Sequence, residues 1–238
     1  METHIRQVPR IVMSLWGMPK SGKTHFALTL PGKIVAIEIG ETGIEDLAWK
    51  FRKDGKEIIH RPLISPSLSV TLADHKKILV DFEATLRAAI ADTTVKTIII
   101  DSMSRLWRSI RVVKTEESFA DSVRTKRNQA DYELANDYHE QIVQLVRMRP
   151  DLNLVLVHRH REIFAKNGES LQATGEVESR DYRGLENIVQ IVMRTDIKDK
   201  KFYQTMEYCR FDARLNGRVF EGYDYDKLVK FLFEDEEG

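Results

Sequence analysis

An eight-residue segment near the start of the chain constrains the fold more than any other feature. It reads Gly17-Met18-Pro19-Lys20-Ser21-Gly22-Lys23-Thr24 and fits the pattern G-x-x-x-x-G-K-[ST] at every fixed position. Glycines at both ends let the backbone wrap closely around a phosphate, because they carry no Cβ that would clash. Consecutive backbone N–H groups at the start of a helix can then point at the anion. The segment therefore predicts a phosphate-binding loop.

Two side chains of this loop have predicted roles in holding a nucleotide. The ammonium of Lys23 supplies a positive charge for the β- and γ-phosphates, and the hydroxyl of Thr24 can ligate Mg²⁺. We include the next residue, His25, among the predicted nucleotide-binding residues. The expected ligands are therefore ATP and Mg²⁺.

The flanking sequence has the pattern that such a loop requires. Residues 11–16 form a short apolar run before the loop, and residues 23–30 show helical spacing that stops at Pro31 and Gly32. A strand, a glycine-rich loop and a helix in this order favour a real phosphate site over a chance match.

Most of the predicted strands are continuous apolar runs rather than alternating ones. Such runs indicate a mainly parallel sheet that is covered by helices on both faces, and strands that alternate with helices indicate an α/β fold. Helical spacing is clearest over residues 74–90, and residues 105–149 also read as mostly helical. The predicted strands after the loop cover residues 33–39, 57–60, 95–101, 152–158 and 188–194.

The carboxyl-terminal part of the chain has a different pattern. Residues 159–183 are polar and are predicted to form a loop. Residues 202–211 and 218–220 are predicted to form a β-hairpin around Asn216-Gly217, a strong turn dipeptide, before a closing helix at 225–233.

The length of 238 residues, of which 42% are hydrophobic, fits one domain. We expect a core over about residues 10–198, the hairpin and helix over about 199–233, and an acidic tail at 234–238.

Charge and cysteine content exclude several classes of protein. The formal net charge is zero, so any site for a polyanion must be a local patch. Cys209 is the only cysteine, which excludes an internal disulfide and a cysteine-based zinc cluster and favours a reducing cytoplasm. No apolar run approaches the roughly 20 residues that span a bilayer, so no membrane partner is expected.

A second acidic motif complements the phosphate loop. Ile98-Ile99-Ile100-Asp101-Ser102 reads as a buried strand that delivers Asp101 to the edge of the sheet beside the loop. There its carboxylate can hold Mg²⁺, usually through water. Asp101 and Thr24 are therefore the predicted metal site.

The order of these motifs resembles that of RecA-like P-loop ATPases. The resemblance rests on the loop at 17–24, the acids Glu38 and Glu41, the strand 98–102 and the strand that ends at His158, with Ser104-Arg105-Leu106 as further support. The segments Arg159-His160-Arg161 and Tyr182-Arg183-Gly184-Leu185-Glu186 resemble short phage-encoded nucleotide-binding proteins of this group.

The resemblance implies a RecA-like P-loop NTPase core that binds and hydrolyses ATP with Mg²⁺ and acts on single-stranded DNA in recombination, replication or repair. It also implies a homo-oligomer in the cytoplasm of a bacterial host, with an annealing or single-strand-binding protein as a partner.

The resemblance also implies roles for individual residues. Lys23 and Asp101 are expected to act in catalysis, and either Glu41 or Glu38 is expected to orient the attacking water. His158 occupies the place of a polar sensor of the γ-phosphate. The expected DNA contacts lie in two basic segments in loop regions after the last two core strands. The first contains Lys114, Arg124, Lys126 and Arg127, and the second contains Arg159, Arg161, Lys166, Arg180 and Arg183. Arg210 and Arg214 are candidates for a basic residue that enters the active site of a neighbouring subunit.

Two other functions are compatible with the phosphate loop. One is a P-loop phosphotransferase that acts on a small molecule, and the other is a nucleotide-dependent interaction or packaging ATPase without direct DNA binding. A strand around residues 35–39 lies between the loop and Asp101 in the chain, and the absence of an evident arginine-rich lid also argues against the phosphotransferase.

Overall fold

The computed structural model describes residues 9–40, 43–63, 70–120, 130–167, 170–179, 185–222 and 224–233. The described residues form nine strands: β1 Val12–Gly17, β2 Lys33–Ile39, β3 Ile58–Leu63, β4 Val95–Asp101, β5 Asn153–Asn167, β6 Ser170–Ser179, β7 Ile191–Lys198, β8 Lys201–Cys209 and β9 Val219–Glu221. The helices are α1 Lys23–Leu28, α2 Ile44–Lys53, α3 Leu72–Ala91, α4 Met103–Ala120, α5 Ala130–Arg147, α6 Leu185–Ile188 and α7 Tyr225–Phe233. A 3₁₀ turn covers Ala213–Leu215.

The strands form one mixed sheet in the order β3-β2-β4-β5-β1-β7-β8-β9, and β6 pairs with β5 outside this path. The strands from β3 to β7 in this order are parallel to their neighbours. The strands β8 and β9 continue the sheet in antiparallel pairing. The prediction of an α/β fold with a mainly parallel sheet is confirmed.

Two hydrophobic cores lie on opposite faces of the sheet. On one face, Ile98 and Ile100 of β4 pack with residues of α3, α4 and α5. On the other face, Ile99 packs with residues of α1, α2 and α7. Both faces of the central strands are therefore buried, which explains why their sequences are continuously apolar.

Local sequence signals determine where several elements begin or lie. The helix α3 begins with a capping box, in which the side chain of Thr71 accepts the N–H of Asp74 and the side chain of Asp74 accepts the N–H of Thr71. Pro62 lies in β3, which is the edge strand of the sheet, where a missing N–H donor is tolerated.

No helix in the described part of the chain is long and apolar enough to span a membrane.

The prediction of a loop over residues 159–183 is wrong for the residues that the structure describes. The strand β5 continues to Asn167 and pairs antiparallel with β6, so that His160 lies opposite Ser179. This hairpin lies beyond the central sheet, so its strands need no continuous apolar run and hydropathy gives no signal for them. Residues 180–184 lie outside the described residues.

The predicted carboxyl-terminal hairpin is confirmed, since β8 and β9 pair antiparallel with Tyr203 opposite Glu221. A second hairpin was missed, because β7 was expected to end at residue 194 and instead extends to Lys198. Its tight turn places Asp199 and Lys200 at positive φ angles of 50° and 63°. The predicted acidic tail at 234–238 lies outside the described residues.

Candidate nucleotide site

The candidate residues meet at the carboxyl edge of the parallel strands. The register places Gly17 of β1 beside Arg159 of β5 on one side and Thr195 of β7 on the other. Two strands away from β1, Asp101 at the end of β4 lies beside Glu38 of β2. In α/β sheets this edge is where ligands bind.

The phosphate loop has a backbone conformation that its glycines permit. Gly17 has a φ of 149° and Gly22 has a φ of 93°, and both values disfavour side chains. A Cβ on Gly17 would lie 2.1 Å from the backbone oxygen of Thr195, and a Cβ on Gly22 would lie 3.0 Å from the ring of Phe202. Glycine is therefore required at both positions, because the backbone conformation disfavours a side chain and a Cβ would have too little space.

The strand β7 contacts the phosphate loop through a buried hydrogen bond. The hydroxyls of Ser21 and Thr195 are 2.6 Å apart, and Thr195 also donates to the backbone oxygen of Trp16 at 3.3 Å. Both side chains are buried. Sequence reasoning missed Thr195, because only the pairing of β7 with β1 brings it to the loop.

The ammonium of Lys23 lies at the mouth of the loop. Its Nζ donates to the backbone oxygens of Gly17 at 3.0 Å and Met18 at 2.7 Å. These neutral carbonyls are weaker partners for an ammonium than phosphate oxygens, because charge-assisted hydrogen bonds are roughly twice as strong as neutral ones. A bound phosphate could therefore replace these carbonyls as the hydrogen-bond partner of Lys23.

The predicted metal residues are in direct contact. The hydroxyl of Thr24 donates to Oδ2 of Asp101 at 2.7 Å, and Asp101 is only 7% exposed. A hydroxyl and a carboxylate beside a phosphate loop are hard oxygen donors, which suit Mg²⁺. No cluster of three or more His, Cys, Asp or Glu side chains that could hold a metal is present in the described residues. The pair thus fits a cation that takes its other ligands from phosphate and water.

Glu38 is buried beside Asp101, at 3% exposure, and both of its oxygens are engaged. Its Oε1 accepts the backbone N–H of Ile44 at 3.1 Å, and its Oε2 lies 2.7 Å from Nε2 of His60. The other candidate base, Glu41, lies outside the described residues.

His158 does not join this group. The alternation along β5 puts Val157 on the face of α1 and His158 on the face of α4 and α5, where its ring stacks on that of His139 at 6.1 Å. Burial lowers the pKa of His158 to about 3, so the ring is neutral at physiological pH. The side chain thus faces away from Thr24 and Asp101.

The side chain of His25 points away from the loop, toward α2. Its ring lies 5.2 Å from that of Phe51. Partial burial and, secondarily, the charge of Lys50 lower its pKa. Only the backbone of His25, in the first turn of α1, is placed to meet a phosphate.

The predicted DNA-binding residues have mixed positions. Lys114 lies in helix α4 rather than in a loop, and it pairs with Glu117 at 2.8 Å. Arg161 of β5 pairs with Glu178 of β6 at 2.7 Å. Arg159 and Lys166 also belong to β5, whereas Arg124, Lys126, Arg127, Arg180 and Arg183 lie outside the described residues.

Arg210 and Arg214 lie at the opposite edge of the sheet from the phosphate loop of their own chain. The end of β8 pairs with the start of β7, and the backbone N–H of Arg210 donates to Gln190 just before β7. Arg214 pairs with Asp212 at 2.8 Å and is 87% exposed. Their predicted action on a neighbouring subunit stays a prediction.

Comparison with known proteins identifies a family for this chain. A family model described as an AAA domain matches residues 10–218. No similar sequence was found among the curated proteins.

A solved structure of a prototypical ATPase from the type III secretion system of pathogenic bacteria shares the fold, with a TM-score of 0.51 and 10% sequence identity. The match covers 79% of this chain and 52% of that one, so this chain spans about half of that protein's length. Since the family model covers most of the chain and the loop, hydroxyl and carboxylate meet as a nucleotide site requires, the chain belongs to the AAA domain family and is a P-loop NTPase.

Proposed function

We propose that this protein hydrolyses ATP with the help of Mg²⁺. The observation that carries the proposal is the contact between Thr24 and Asp101, which sets two oxygen donors against the phosphate loop. Bound there, the ion would neutralise charge on the phosphates and hold them in place.

The protein's own groups supply the remaining parts of the reaction. The loop amides and Lys23 would stabilise the charge that develops on the transferring phosphoryl group. A glutamate at the end of β2 would accept the proton of the water that attacks the γ-phosphorus, as the bond to the leaving ADP breaks. Glu38 and Glu41 are the candidates for this base.

The sheet order also supports hydrolysis over transfer to a small acceptor. The strand β5 stands between β1 and β4, so the strand of the metal carboxylate does not adjoin the strand of the phosphate loop. In the RecA-like ATPases that the sequence resembles, a strand usually separates these two strands, and a glutamate activates the water. The strand that separates them in the sheet is β5, which follows Asp101 in the chain. The strand around residues 35–39, which lies between the loop and Asp101 in the sequence, is on the other side of β4.

Replacing Asp101 with asparagine tests the metal role. We expect the Mg²⁺ concentration for half-maximal ATP turnover to rise about 10- to 100-fold, as for other groups that hold a metal through water. The measurement is a steady-state phosphate-release assay over a Mg²⁺ titration. The control is Asp81→Asn, which removes an exposed carboxylate on α3 that pairs with Lys77. A Mg²⁺ titration of Asp101→Asn that matches wild type would reduce this carboxylate to a partner of the Thr24 hydroxyl.

We further propose that the ATPase acts on single-stranded DNA through the β5–β6 hairpin. The feature that supports this role is the continuity of β5, which passes the nucleotide site at Arg159 and then extends into the hairpin with Arg161 and Lys166. Basic side chains along such an arm could follow a phosphate backbone. The pairing of Arg161 with Glu178 means that DNA would have to displace this carboxylate.

The salt dependence of binding tests the DNA role. For a single strand, the logarithm of affinity falls by about 0.7 per neutralised phosphate for each unit of log salt. We expect Arg159→Ala with Arg161→Ala to flatten this slope by about 0.7 to 1.4, which corresponds to one or two phosphates. The measurement is fluorescence anisotropy with a labelled oligonucleotide at several salt concentrations.

The matched control for this test is Lys76→Ala with Lys77→Ala, which removes two exposed charges from α3. If no binding occurs at about 50 mM salt, where phosphate contacts are strong, with or without an ATP analogue, the DNA role fails. A nucleotide-dependent interaction or packaging ATPase then becomes the leading alternative.

A further inference from the structure

A histidine on the neighbouring strand connects the candidate base to helix α2. His60 lies in β3, next to β2, and its side chain is 13% exposed. Its Nε2 lies 2.7 Å from Oε2 of Glu38, and its Nδ1 lies 3.2 Å from Oε2 of Glu45 in the first turn of α2. The imidazole thus bridges two carboxylates.

The outer carboxylate of this bridge has a second partner on its own helix. Glu45 is held in turn by Arg52, whose Nη1 lies 2.5 Å from Oε1 and whose Nη2 lies 3.2 Å from Oε2. Arg52 therefore holds Glu45 in place on α2. A rotation of the His60 ring would break its contact with Glu45.

The bridge also helps to satisfy the buried carboxyl group of Glu38. Burial of a polar group is costly unless hydrogen bonds replace its water. Two contacts do so here, the N–H of Ile44 at one oxygen and the ring of His60 at the other. The two contacts together also fix the plane of the carboxyl group.

The position of Glu38 gives this arrangement a consequence for catalysis. Glu38 and Asp101 are direct neighbours in the register of β2 and β4. Side chains alternate along β2, so Glu38 shares a face with Ala36, two residues before it. Ala36 and Ile44, whose N–H contacts Glu38, both belong to the core that also contains residues of α1, the helix of Thr24. Glu38 therefore faces the same side of the sheet as the Thr24–Asp101 contact.

We infer that His60 is a positioning residue for ATP hydrolysis, which holds the Glu38 carboxylate in the orientation that accepts the proton of the attacking water. This inference rests on the proposed ATPase function and assigns Glu38 as the base. Water adds to the γ-phosphorus, the bond to ADP breaks, and the proton passes to Glu38 and then to solvent. His60 does not touch the substrate.

The experiment compares kcat and KM for ATP in wild type, His60→Ala, His60→Gln, Glu38→Gln and the double variant His60→Ala/Glu38→Gln. Misplacement of a catalytic group by about 1 Å can cost about 10²-fold in rate. We expect His60→Ala to lower kcat by about 10- to 100-fold while KM changes by less than about twofold. His60→Gln should restore much of the rate, because its amide nitrogen can occupy the position of Nε2.

The double variant separates positioning from a structural role. If His60 acts through Glu38, adding His60→Ala to Glu38→Gln should cost little more, because coupled groups are not additive. The control is His75→Ala, which removes a buried histidine that contacts Ser109 outside the site. Binding of a fluorescent ATP analogue and the melting temperature are measured for every variant.

The outcomes are distinguishable. If wild type hydrolyses ATP but His60→Ala keeps its kcat, or loses the same factor with and without Glu38, the inference is overturned and the proposed function stands. If His60→Gln is as slow as His60→Ala, positioning by the Nε2 donor is overturned. If wild type binds ATP without turning it over, the proposed hydrolysis fails and the inference fails with it.

Discussion

ATP turnover should fall by about 10²-fold or more when Lys23 is replaced by alanine. Removal of one preorganised group that stabilises transition-state charge typically has an effect of this size. The ammonium lies within hydrogen-bonding distance of two loop carbonyls, so the variant keeps the loop backbone but loses the positive charge beside it. The measurement is steady-state phosphate release at saturating Mg²⁺.

The control for this variant is Lys230→Ala, which removes an exposed lysine from α7. Nucleotide affinity should also weaken in Lys23→Ala, because the lysine would contact the phosphates in the ground state too. Wild-type turnover in Lys23→Ala would contradict both the catalytic role of Lys23 and the proposed hydrolysis at this loop.

A single added methyl group should disable the loop in the variant Gly17→Ala. The new Cβ would lie 2.1 Å from the backbone oxygen of Thr195, which cannot move without displacing β7, and the φ of 149° is unfavourable for alanine. Forced overpacking of this kind costs about 1–3 kcal/mol or more. For a chain of this size, the melting temperature should fall by roughly 2–12 °C.

Gly55→Ala is the matched control for Gly17→Ala. Gly55 also has a positive φ, of 85°, but nothing lies within 4 Å of the position of its Cβ. This control carries the backbone strain without the clash, so it should melt closer to wild type and keep its affinity for nucleotide. If both variants melt alike and bind nucleotide equally, the contact between Gly17 and Thr195 has no role in shaping the loop.

The sequence predicted those parts of the site that depend on local chemistry. The phosphate loop and the acidic residues at the ends of β2 and β4 could be predicted from short sequence patterns. In each case the functional residues lie at the end of a strand or directly after it. Asp101 was expected beside the loop, and its contact with Thr24 agrees with this expectation. The continuous apolar runs predicted a sheet with two covered faces, and the two cores have this arrangement.

The missed features depend on which strands become neighbours. Thr195 braces the loop only because β7 pairs with β1, and His60 reaches Glu38 only because β3 pairs with β2. Strand order is set by the packing of distant segments, and no short pattern reports it. The side of the sheet that His158 faces could not be predicted for another reason. A strand that is apolar on both faces shows no alternation of polar and apolar residues, so its sequence does not indicate which residues face which side.

The path of β5 has a mechanical consequence. One strand lies between the phosphate loop and the metal carboxylate and then continues as an arm of the hairpin with β6. From Arg159 to Asn167 this arm measures about 26 Å at about 3.3 Å per residue. A tilt of about 5° at its base would move the tip by about 2 Å over that length. Because β5 lies between β1 and β4 at the nucleotide site, a small change in its angle there would displace the tip of the hairpin by a larger distance.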